Sequence, residues 1–232
     1  MNILAIDTSS AACSAALTRD GKLVGEYIMN SALTHSQTIM PAVEAILERE
    51  GMRPSDVDLF AVVAGPGSFT GVRIGVCAVK GLCAATDKPC ARIDALEAIA
   101  EGAAYEGFIC PILDARRDQV YTALFEKTGE TLARRMEDSA LPLDALLQRL
   151  PQGPVYFTGD GLNTYEDRIR AAMGSRARIA PAHIRVLRAS AACVIAEKNP
   201  ETHMEASRLT PEYLRLSQAE RERNERLTRA KL

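Results

Sequence analysis

The stretch that most constrains the fold runs from Leu59 to Lys80, LFAVVAGPGSFTGVRIGVCAVK. Its apolar opening, Leu59 to Ala64, has the length and content of a buried strand. Gly65-Pro66-Gly67 follows as a tight turn. Ser68 and Thr70 are helix-starting residues whose hydroxyls can take the first free backbone N–H groups. Gly71, Gly75, Ala78 and Gly81 then place small residues along one side of a helix. Each glycine inside a helix costs about 1 kcal/mol relative to alanine, so their repetition implies that something approaches this helix closely. A strand, turn and capped helix also make an ordinary α/β corner, in which small residues only let the helix sit on its own sheet. The residues leave both readings open. Familiar ligand motifs are excluded. Walker A and GxGxxG both need a glycine where Thr70 stands, and GxSxG around Ser68 fails at Pro66 and Thr70.

At 232 residues the chain can form one large or two small domains. No run of eighteen apolar residues is present, which argues against a spanning helix. Met1 leads straight into an apolar run with no basic leader region, so no signal peptide is expected. The six cysteines include no CxxC pair, which points to free thiols in a reducing cytoplasm. The three histidines are widely spaced, with no HxxxH or HExxH, so no metal site of local ligands is expected. A net charge of −2 supplies no general attraction for nucleic acid.

Periodicity predicts strands over 2–6, 13–18 and 22–29, the last two joined by a hairpin turn at Arg19-Asp20-Gly21. A helix follows over 36–50, with Pro41 near its start or kinking it and Gly51 ending it. After the strand at 59–64 come a helix over 71–86, a strand over 90–93 and a helix over 95–103. A similar order then restarts. Strands are expected at 109–113 and 119–126, a helix at 142–150, a strand at 155–158, a helix at 163–173, a short strand at 178–180 and an alanine-rich helix at 187–197. Gly159-Asp160-Gly161 reads as a surface loop, with a turn on the adenosine side of a nucleotide site as the alternative. Each half thus begins with a strand ending in aspartate, Asp7 or Asp114. This is an internal duplication of pattern rather than identity. Two facing halves would aim both aspartates at one cleft, where α/β sheets bind ligands. Plain strand-end capping explains Asp7 and Asp114 equally well.

The chain resembles the bacterial TsaB (YeaZ) family. The resemblance lies in Leu4-Ala5-Ile6-Asp7-Thr8-Ser9, in the run from Gly65 to Gly75, in Asp114-Ala115-Arg116 with Val120-Tyr121, and in Pro211 to Arg215. It covers nearly the whole chain. It implies an α/β, actin-like ATPase (ribonuclease H-like) fold of two related halves. These would be a first domain over 1–103 carrying the glycine motif and partner helices, a reduced second domain over 107–210, and a C-terminal segment with a charged tail over 211–232. It also implies a role in making threonylcarbamoyladenosine 3′ of the anticodon in tRNA. In such systems a homologous transferase, TsaD, is the catalytic subunit and an ATPase, TsaE, joins the pair. The transferase carries an HxxxH metal pair where this chain has Ala95 and Ile99, so a non-catalytic partner is expected.

The same resemblance puts the pairing surface on the first two helices. Ile39, Met40, Val43 and Leu47 of the first would supply apolar contacts. Gly71, Gly75 and Ala78 of the second would allow close approach, with Val72, Ile74 or Val76 as anchors and Arg73 at the rim. The intramolecular sheet is the competing destination for these residues. A TsaD-like chain and a TsaE-like ATPase are the expected partners, with tRNA reached through the complex and a homodimer formed alone. Asp7, Ser9, Asp114 and Arg116 are the candidate nucleotide residues. Each turn lacks the glycine of the DxG phosphate motif, so no resident cofactor is expected beyond ATP or ADP at the partner interface. The alternatives are an independent actin-like ATPase or glycoprotease-like hydrolase, and a tRNA-binding module using the tail over 220–231.

Overall fold

A computed structural model describes residues 1–31 and 33–215. The expected tail at 220–231 lies outside the described residues. Strand β1 (Asn2–Asp7) is buried on both faces, which dictates a layered architecture. Ile3 and Ala5 enter one core, Leu4 and Ile6 another. β2 (Cys13–Arg19) pairs antiparallel with β1, and β3 (Lys22–Met29) with β2. β4 (Leu59–Val63) and β5 (Cys90–Ile93) extend the sheet in parallel on the other side of β1.

The second half repeats this arrangement. β6 (Gly107–Asp114) takes the central place, with β7 (Gln119–Thr128) and β8 (Thr131–Pro142) antiparallel on one side. β9 (Val155–Thr158) and β10 (Ala177–Ile179) run parallel on the other. The orders β5-β4-β1-β2-β3 and β10-β9-β6-β7-β8 are the same five-strand pattern used twice. This duplicated ribonuclease H-like sheet is the actin-like ATPase fold.

Helices fill the spaces between and outside the sheets. α1 (His35–Arg49) and α2 (Phe69–Thr86) cover the outer face of the first sheet. α3 (Ala95–Glu101) and α6 (Ala189–Lys198) lie between the sheets, meeting Ile3 and Ala5 on one side and Ile109, Leu113 and Phe125 on the other. α4 (Leu143–Leu147) and α5 (Leu162–Met173) cover the far face of the second sheet. The layers therefore run helix, sheet, helix, sheet, helix. α4 has only five residues, which makes the second half the reduced one.

Several expectations need correction. β8 was not anticipated, because its alternation is only partly apolar and a helix was expected to begin at Pro142. The sequence division placed 187–210 in the second half. The structure instead packs α6 on the first sheet, and β11 (His203–Met204) pairs antiparallel with β5. Pro41 lies inside α1, past its first turn. α2 begins at Phe69, so Ser68 is its cap, accepting from Gly71 N at 3.2 Å, while Thr70 lies inside the first turn. By length and composition alone α2 could cross a membrane, with a mean hydropathy of 1.3, but it lies along the sheet with 39% of its residues buried.

Candidate functional site: the cleft between the lobes

The glycine-rich turn is held by the chain's own backbone. Ser68 N donates to Ser9 O at 2.7 Å, and Thr8 Oγ1 donates to Gly71 O at 2.7 Å. On the other side, Glu212 N donates to Ala64 O at 2.7 Å. Gly65 has φ +122°, and a Cβ there would lie 2.3 Å from Glu212 O. The turn is thus wedged between the β1–β2 loop and the C-terminal segment.

The same contacts redirect the expected partner residues. A Cβ on Gly71 would lie 2.1 Å from Thr8 O, and one on Gly75 would lie 2.6 Å from Thr8 Oγ1. Both glycines therefore admit the β1–β2 loop, not another protein. Ile39, Val43 and Leu47 are buried in the core between α1 and the first sheet. Of the expected interface residues, Met40 and Arg73 are exposed, and Ile74 and Ala78 are half-buried.

The turn, the β1–β2 loop, the β6–β7 turn and the C-terminal segment enclose a cleft of about 630 Å³. Ser9, Ser10, His35, Asp114, Arg116, Asp160, Tyr213 and Arg215 are among its walls. The two strand-end aspartates close equivalent turns. Asp7 Oδ1 accepts from Ser9 N at 2.8 Å and from Ser9 Oγ at 2.6 Å. Asp114 Oδ1 accepts from Arg116 N at 2.7 Å. Both are local capping turns of the hairpin. They differ in burial, since Asp7 is wholly buried and Asp114 exposed. Ser9, Asp114 and Arg116 reach the cleft wall, whereas Asp7 is not among the lining residues.

Burial pushes the Asp7 carboxyl up from 3.8 to about 7, against the Ser9 hydrogen bonds and with help from the nearby Asp160 charge. Burial also raises the Asp160 carboxyl. Asp7 Oδ2 and Asp160 Oδ1 are both buried without a hydrogen-bond partner among the described residues. Asp160, read from sequence as part of a surface loop, lines the cleft and accepts from Ala11 N of the other lobe at 3.3 Å. His35 begins α1, and its Nε2 contacts Ser10 O at 2.8 Å.

These residues do not fit a phosphate cradle. Such a cradle presents free backbone N–H groups and no competing negative charge. Here Ser9 N and Ser9 Oγ already bond to Asp7, and the carboxyl groups of Asp114 and Asp160 line the cleft, the latter with one oxygen unpartnered among the described residues. The Arg116 guanidinium is carried on backbone with φ +61°, followed by Arg117 and Asp118 at +54° and +58°. Three successive residues of this kind hold the β6–β7 turn in an unusual shape.

Sequence reasoning missed two further constellations. Tyr213 stacks on Phe69, ring centroids 4.1 Å apart, while Arg73 Nε donates to Tyr213 Oη at 2.8 Å. Beside the start of α3, Arg134 of β8 bonds Asp138 and lies 3.4 Å from Asp94 and 3.8 Å from Glu97 on α3. Burial and Asp138 raise the Asp94 carboxyl well above its ordinary value. Neither grouping can be found before β8 and the C-terminal segment are placed.

Comparison with known proteins decides the family. A family model described as TsaD, tRNA N6-adenosine threonylcarbamoyltransferase, matches residues 28–223. A Bacillus subtilis protein named tRNA threonylcarbamoyladenosine biosynthesis protein TsaB is 36% identical over 223 residues, spanning 95% of this chain and 96% of its own. This chain belongs to the TsaB (YeaZ) family. A Pseudomonas aeruginosa crystal structure, described as an uncharacterized protein with similarity to peptidase YEAZ, superposes with TM-score 0.80 at 27% identity. It covers 92% of this chain and 99% of its own. The ethanolamine utilization protein EutJ of Carboxydothermus hydrogenoformans shares the fold alone, with TM-score 0.50 at 12% identity over 84% of this chain and 89% of its own. The stretches that carry the resemblance meet at the cleft through Ser9, Gly67–Thr70 and Glu212–Arg215.

Proposed function

We propose that this chain is a non-catalytic subunit for threonylcarbamoyl transfer to the adenosine 3′ of the anticodon in tRNA, heterodimerising with a TsaD-like transferase and activating it. The outer face of α2 carries this reading. α2 is apolar, with mean hydropathy 1.3, yet only 39% of its residues are buried. Arg73, Cys77, Gly81 and Ala84 form an exposed stripe along it, flanked by half-buried Ile74 and Ala78. Small side chains let a second helix come close. Met40 of the adjoining α1 is 40% exposed and adds an apolar contact. Such a face suits a related chain of the same fold, related by pseudo-two-fold symmetry.

The absence of catalysis is supported by α3. Ala95 and Ile99, which stand where the resemblance places imidazoles in the transferase, are buried in the interlobe core. The cleft's lack of a phosphate cradle supports the absence of a resident nucleotide, so ATP or ADP binds where the partner completes the site. In this reading the complex is cytoplasmic, a TsaE-like ATPase joins it, and tRNA is held through it. Without the transferase, the same α2 face pairs with a second copy.

Light scattering of the chain mixed with a TsaD-like protein tests the reading. Gly81 is the suitable position to perturb, because a Cβ there meets nothing within 4 Å among the described residues. The heterodimer should form with the native chain and be lost with Gly81→Arg. An unchanged heterodimer mass for that variant, or complete threonylcarbamoylation by the isolated chain, would overturn the proposal.

A further inference from the structure

The C-terminal segment Pro211–Arg215 crosses the mouth of the cleft from one lobe to the other. On the first lobe, Glu212 N donates to Ala64 O at 2.7 Å and its carboxylate meets Arg92 at 2.9 Å. The Tyr213 ring lies on Phe69 with an interplanar angle of 19°. On the second lobe, Arg215 donates to the carbonyl oxygens of Ala115 and Arg116. Tyr213, Leu214 and Arg215 thereby become part of the cleft's own wall.

One side chain joins this segment to the outer face of α2. The Arg73 guanidinium sits 4.1 Å over the Phe69 ring and donates to Tyr213 Oη at 2.8 Å. Arg73 is also the first residue of the exposed α2 stripe. A guanidinium has one orientation at a time, so a contact that draws it outward removes both its cation–π and its hydrogen-bond support from the Phe69–Tyr213 stack. We propose that Pro211–Arg215 is a strap over the cleft and that Arg73 is its release point, so that a partner engaging Arg73 on the outer face of α2 frees Tyr213 and opens the cleft.

The proposal rests on the partner face argued above, and it makes that face and the cleft two coupled sites. The coupling is reciprocal. A strap that is already loose must favour the partner, because the partner no longer works against the stack.

Hydrogen exchange on the full chain, alone and with a TsaD-like protein, separates the parts. In the isolated chain, Tyr213→Ala should speed exchange of the Glu212 amide about tenfold, and Tyr213→Phe, which keeps the stack, should speed it less. An unchanged Glu212 amide in Tyr213→Ala overturns the strap. On adding the transferase, maleimide labelling of Cys77 reports occupancy of α2. Shielded Cys77 with about tenfold faster Glu212 exchange supports the coupling. Shielded Cys77 with unchanged or slower Glu212 exchange overturns the coupling while leaving the partner face standing. Unshielded Cys77 overturns the partner face and the coupling together. Tyr213→Ala should also tighten the heterodimer about fivefold, and weaker binding would count against release through Arg73.

Discussion

Replacing Asp7 by asparagine should stabilise the protein, and only above acidic pH. Asp7 is wholly buried at the end of β1, and its Oδ2 has no partner among the described residues. Its carboxyl is pushed up from 3.8 to about 7, chiefly by burial. The folded chain therefore holds this proton more tightly than the unfolded chain. The associated stability is fully present below about pH 4 and is lost as pH rises towards about 7. That gap corresponds to about 4 kcal/mol. Asparagine has the same shape and never ionises. Its Oδ1 can still accept from Ser9, and its amide nitrogen takes the place of the unpartnered oxygen near Asp160. Urea unfolding at about pH 4 and about pH 8 should show the two proteins converging at the lower value. At the higher value Asp7→Asn should be more stable by about 4 kcal/mol, or about 10 °C in Tm for a chain of this size. A stability difference that does not change with pH, or a variant less stable at about pH 8 than at about pH 4 relative to the native chain, would refute the reasoning.

Three further outcomes follow from named contacts. Arg134→Met leaves Asp94, Glu97 and Asp138 together without the guanidinium that joins them. Because these groups are only partly buried, the loss should be about 2 kcal/mol at neutral pH and smaller in acid, measured by thermal unfolding against pH. Gly71→Ala drives a Cβ into Thr8 O and should destabilise by about 3 kcal/mol, whereas Gly81→Ala, facing open space, should stabilise by about 1 kcal/mol in chemical denaturation. Thiol titration of the native chain at mildly alkaline pH should modify Cys77 first, since Cys77 is exposed while burial holds Cys110 and Cys193 up at about 12. Rapid loss of any buried thiol would contradict the described core.

The two strand-end aspartates act alike as hairpin caps, each accepting from the backbone N–H two residues on, at Ser9 and Arg116. The glycine turn is filled from within the chain, with Gly65 admitting Glu212.

Much of this protein was legible in its residues. The burial period of β1, β4 and β6, the repeated order of elements, the Ser68 cap and the glycine turn depend on local chemistry, and local chemistry is written in consecutive residues. Small residues on α2 correctly signalled a close approach. Which neighbour approaches was decided only in three dimensions, where Thr8 and not a partner occupies the space beside Gly71 and Gly75. The same holds for Asp160 at the cleft, for α6 and β11 returning to the first sheet, and for Arg73 meeting Tyr213 across 140 positions of chain. Such pairings arise from how whole layers stack, and no short stretch of residues records that.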